Sequence, residues 1–131
     1  MRRVDQRRAG VVALYQHEVT GRPLADLIDG DATPFTRELV DGVLHYQEEL
    51  DSLIEQHAKG WTVDRIAPLE RSILRVSLFE MLHREDIPPI VSINEAVDIA
   101  KKFSTPDSGK FVNGILDKVK GELLRPARIV K

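Results

Sequence analysis

Apolar side chains recur in this chain at three- and four-residue spacing almost from end to end, a period that a helix buries on one side. Val4, Val11, Leu14, Tyr15 and Val19 mark a first helix, which Gly21 ends. Leu24, Leu27 and Ile28 give one short turn, and Gly30-Asp31-Ala32 a loop. Thr33-Pro34 reads as a start signal, because threonine caps a helix and proline at its first position forfeits no hydrogen bond. Phe35, Leu39, Val40, Val43, Leu44, Leu50, Leu53 and Ile54 carry that helix to about Ala58, with Gly60 as a stop. After Trp61 comes a short turn around Val63 and Ile66. Pro68 then opens a helix that is apolar on more than one stripe, through Leu69, Ile73, Leu74, Val76, Leu78, Phe79 and Leu82, and so is expected at the centre. Pro88-Pro89 breaks the chain, and Ser92-Ile93-Asn94-Glu95 predicts a capping box, with Ala96, Val97, Ile99, Ala100 and Phe103 as the buried face behind it. Thr105-Pro106-Asp107 repeats the start signal. Phe111, Val112, Ile115, Leu116, Val119 and Leu123 form a last helix, which Pro126 ends. The one alternating stretch, Ile90 to Ile93, is overridden by the capping box, so no strand is expected. The chain reads as all-α, with five main helices and one or two short ones, in a single domain over residues 1–131.

A chain of 131 residues buries enough surface to fold without staples, and 0 Cys excludes a disulfide scaffold, a thiolate zinc site and cysteine catalysis. No apolar run approaches the roughly 18 residues of a membrane-spanning helix. Met1-Arg2-Arg3 is not followed by the apolar core of a signal peptide, so a cytoplasmic location is expected. The net charge of -2 conceals a division by region: residues 1–8 carry +3, residues 9–116 carry -8, and residues 117–131 carry +3. A local basic patch is what a polyanion meets, whatever the total.

Catalytic and metal-binding patterns are missing from the sequence. His17, His45, His57 and His83 include no pair at i, i+4, and there is no HExxH, P-loop, GxGxxG or GxSxG. Glu48, Asp51 and Glu55 share a helix face and read as a solvated row. Asp29-Gly30-Asp31 is too short for a calcium loop. Neither an enzyme, a cofactor nor a metal is expected.

The N-terminal arginines say more. Arg3 and Arg7 are i, i+4 on one helix face, flanked by Arg2 and Arg8, at a helix N-terminus whose partial positive charge suits phosphate. The alternative is a solvated basic terminus. In Lys110-Phe111-Val112-Asn113-Gly114, the glycine inside a helical pattern suggests close backbone approach, to another helix or to a ligand. By periodicity Phe111 is core; beside a lysine it could instead stack on a base.

Three ordered blocks carry a resemblance: Arg3, Arg7 and Ala13-Leu14-Tyr15; Leu69-Glu70-Arg71-Ser72-Ile73-Leu74-Arg75; and Pro89 to Phe103 followed by Asp107-Ser108 and Lys110 to Asp117. On these the chain resembles the NusB family of bacterial transcription antitermination factors, from Arg3 to about Val119. The resemblance implies two small helical bundles packed as one domain and no catalytic activity. It implies binding of single-stranded boxA RNA of ribosomal RNA transcripts, as a heterodimer with the ribosomal protein NusE, within an RNA polymerase antitermination complex. In some members it implies homodimers that hide the RNA surface. Arg3 and Arg7 match the family's arginine motif, and Arg2 and Arg8 are added on charge alone. Phe111 matches an aromatic at the RNA surface, with Lys110 beside it. Tyr15, Glu70 and Asp107 match positions facing NusE. Related helical domains occur fused to ribosomal RNA cytosine methyltransferases, for which a chain of 131 residues is expected to leave no room. The competing reading is a protein-only helical adaptor or dimerisation module.

Overall fold

Local chemistry fixes several helix ends. In the computed structural model, which describes residues 2–123, α1 runs Arg3–Thr20, α2 Leu24–Leu27, α3 Pro34–His45, α4 Gln47–His57, α5 Pro68–His83, α6 Pro89–Phe103 and α7 Pro106–Leu123. A 3-10 turn at Val63–Arg65 precedes α5. No strand occurs among the described residues. Gly21 ends α1 in the left-handed region at φ 74°, its N–H bonding the His17 carbonyl. The Thr33 hydroxyl accepts the Thr36 N–H at 3.3 Å, and Thr105 does the same for Ser108 at 3.1 Å, so both threonine-proline starts hold. Pro126 lies outside the described residues.

Several local expectations are corrected. The helix from Pro34 does not run unbroken to Ala58: it kinks at Tyr46, whose ring stacks on His83 at 3.7 Å between centroids and lies near Phe79. The capping box does not form, because α6 already starts at Pro89, and Ser92 sits within it, 1% exposed. Phe103, the last residue of α6, is not on the buried face but 48% exposed.

The centre is α5, in which every residue from Arg71 to Met81 is buried. It contacts α1, α3, α4, α6 and α7, and since α1 packs on α3 while α7 packs on α4 and α6, two groups of helices share it. Leu74, Leu78, Ile73 and Val76 fill the core, each worth roughly 1.5–3 kcal/mol of burial. Close crossings fall at glycines. A Cβ on Gly42 of α3 would lie 2.2 Å from the Phe79 ring, and one on Gly109 would lie 2.9 Å from the Lys101 side chain. At Gly114 a Cβ would meet nothing within 4 Å, so no other helix comes close to it. The acidic row on α4 is not simply solvated either. Asp51 takes a two-pronged bond from Arg75 at 2.8 and 3.0 Å, and Glu55 caps the Val63 N–H at 2.8 Å. Arg75 and Arg71 both also reach Glu18, tying α1, α4 and α5 together.

Candidate nucleic-acid interface

The four N-terminal arginines have four different fates. Arg7 points inward, 4% exposed, and its Nε and Nη2 bond both carboxylate oxygens of Glu80 at 2.6 and 2.9 Å. Glu80 is fully buried and also accepts the Ser92 hydroxyl at 2.8 Å. Arg7 is therefore corrected from a phosphate ligand to an internal strut between α1, α5 and α6: a fully buried carboxylate needs a cation, and Arg7 supplies it.

Arg3, one turn earlier, is exposed, with its guanidinium 4.0 Å above the buried Phe35 ring. Arg84 approaches the same ring at 5.2 Å. Arg84 is held by Asp86 at 2.9 and 2.8 Å, and that hydrogen bonding keeps the Asp86 carboxyl below its usual range. Arg3 has no ion pair among the described residues, so its charge stays available while Phe35 supports one face. Arg2 is exposed and loosely paired with Asp5 at 3.3 Å. Arg8 is half-buried, 3.9 Å from Asp5, with its guanidinium 6.0 Å from the Phe103 ring.

Phe103 connects the two sequence-predicted halves of the site. It closes α6 beside the exposed Lys101 and Lys102, and Lys101 lies along Gly109, which precedes Lys110 and Phe111 in α7. A continuous edge thus runs from the start of α1, over the end of α6, to the start of α7. Lys110 is exposed on it; Phe111 is half-buried, packed on the core with part of its ring in a surface groove. The core reading of Phe111 holds in part, since the ring packs on the core without being fully covered. Lys101, Lys102 and Phe103 were missed because the helical stripe assigned Phe103 to the core. Their signal was two lysines beside an aromatic at a helix end.

Tyr15 is half-buried on α1, Glu70 half-buried in the first turn of α5, and Asp107 exposed in the first turn of α7. No hydrogen bond or ion pair joins the three among the described residues. Glu70 and Asp107 also have a local reason for their positions, since carboxylates complement a helix N-terminus. Among the described residues no three His, Asp or Glu side chains are grouped to hold a metal ion, and no helix is long and apolar enough to cross a membrane.

Fold and site together define an all-α protein that presents a cationic, aromatic-studded edge. The sequence profile of the NusB family matches residues 4–120, and the chain belongs to that family. It is 41% identical to the transcription antitermination protein NusB of Myxococcus xanthus, over 95% of this chain and 98% of that one. Its fold superimposes on T. maritima NusB with a TM-score of 0.85 at 34% identity, covering 93% of this chain and 92% of that one. It also superimposes on a crystal structure of the antitermination factors NusB and NusE in complex with double-stranded RNA, with a TM-score of 0.78 at 29% identity, over 91% of this chain and 97% of that one.

Proposed function

We propose that this chain is a non-enzymatic transcription antitermination factor of the cytoplasm that binds boxA RNA of ribosomal RNA transcripts together with NusE, as part of an RNA polymerase complex. Family membership supports the role, and the relative crystallised with NusE and double-stranded RNA supports NusE and RNA as partners, while the preference for a single strand rests on the exposed aromatics. The observation that carries the RNA reading is the exposed edge of Arg3, Lys101, Lys102 and Lys110, none of them in an ion pair among the described residues, set beside Phe103 and Phe111.

The cations grip phosphate and the aromatics accept unstacked bases, which single strands offer and duplexes hide. NusE, a ribosomal protein, meets Tyr15, Glu70 and Asp107 on the acidic body and extends the RNA surface.

Titrating labelled boxA RNA, single-stranded and as a duplex, with wild type and Arg3→Ala/Lys110→Ala, with and without NusE, tests the proposal. Arg7 is left intact because its loss would report on folding. The expected result is tighter binding with NusE, preference for the single strand, and weaker binding by the variant. If wild type ignores both RNAs even with NusE present, the protein-only adaptor replaces this reading.

A further inference from the structure

Trp61 is the single tryptophan of the chain, and it is 51% exposed. The backbone goes out of its way to place it. Lys59 and Gly60 both take positive φ, 36° and 88°, turning the chain sharply at the end of α4, and the Trp61 N–H bonds back to the Ala58 carbonyl at 3.2 Å. A non-glycine residue in that region stores strain, which surrounding structure must hold. Just beyond, Glu55 fixes the Val63 N–H, so the tryptophan is held between two anchored points.

The turn sets Trp61 in a shallow groove against α7, floored by Ala58 and Ile115, and Phe111 lines the same groove. Both aromatics line this one groove, which is open to solvent. Lys59, Lys110 and Lys118 also line it, all exposed and none in an ion pair among the described residues. Glu122, near one end, is engaged by His57 at 2.9 Å.

We infer that this groove extends the base-stacking edge past Phe111, with Trp61 receiving an unstacked base of single-stranded RNA while Lys59 and Lys118 hold the flanking phosphates. The inference rests on the RNA-binding reading and lengthens the path from the N-terminal edge across Lys110 to the far side of α7. Charge decides the occupant: three unpaired lysines attract a polyanion and repel a basic protein.

The test follows binding of labelled single-stranded boxA RNA, with NusE present, to wild type, Trp61→Ala and Trp61→Phe, with thermal melts confirming folding. In parallel, 5-fluorotryptophan in this chain gives one fluorine resonance from Trp61 in wild type, which needs no variant to fold. The expected result is a loss of about 5- to 100-fold for Trp61→Ala, largely restored in Trp61→Phe, with the resonance shifting on addition of RNA. Equal affinity of wild type and Trp61→Ala overturns the inference and leaves the proposed function standing. A resonance that shifts with NusE alone, with Trp61→Ala weakening NusE rather than RNA binding, assigns the groove to a protein and also overturns it. If wild type binds no RNA at all, the proposed function itself has failed and the inference with it.

Discussion

Arg3 and Arg7 stand one helical turn apart on the same helix, yet one faces solvent and the other is sealed against Glu80. Arg7→Ala removes both charged hydrogen bonds of a fully buried carboxylate and leaves it the hydrogen bond from Ser92. The expected loss is about 3–5 kcal/mol of stability, read by denaturant unfolding. Arg3→Ala gives up a cation–π contact worth roughly 0.5–1 kcal/mol. It is expected to fold nearly as well as wild type while binding RNA less tightly. Equal destabilisation by the two substitutions would contradict the division of labour. The sequence did hold a clue: Glu80 lies among Leu78, Phe79, Met81 and Leu82, and a carboxylate in such a run needs a buried cation. What it could not say is which of four neighbouring arginines answers, because the partner is 73 residues away.

Among the elements, what was legible was what is local. Thr33-Pro34, Thr105-Pro106 and Gly21 set their helix ends through bonds to residues within four positions, and all three could be read directly. Ser92 could not, because the group it satisfies belongs to another helix. The kink at Tyr46 also escaped, since the apolar spacing continues across it and the ring's partners lie on α5. Gly42 is the sharpest case of tertiary demand. Gly42→Ala would improve local helix propensity, yet its methyl would lie 2.2 Å from Phe79. Overpacking is expected to win, with a net loss of about 1–3 kcal/mol in a thermal or denaturant melt. Thr33→Ala is expected to cost about 1 kcal/mol by the same measurement, through loss of the cap.

For the molecule as a whole, the net charge of -2 gives no hint of how cations are apportioned. Arg7, Arg71, Arg75 and Arg84 are each paired with carboxylates of the chain, and the exposed edge keeps Arg3, Lys101, Lys102 and Lys110. With roughly four phosphate contacts, log affinity for single-stranded RNA is expected to fall with log salt at a slope of about -3. A slope near zero, from titrations across a salt series, would remove the electrostatic account. Asp107→Ala is expected to weaken NusE binding while sparing RNA binding by the free chain. Equal loss of both in a folded variant would move Asp107 off the NusE face. The Arg7–Glu80 strut has a further consequence, which concerns synthesis. The basic first helix leaves the ribosome before its internal anchor exists, and at roughly 5–20 residues per second the 73-residue separation amounts to about 4–15 s. Through that interval Arg7 is as solvated as Arg3, and only the arrival of the central helix separates the arginine that holds the bundle from the one that faces outward.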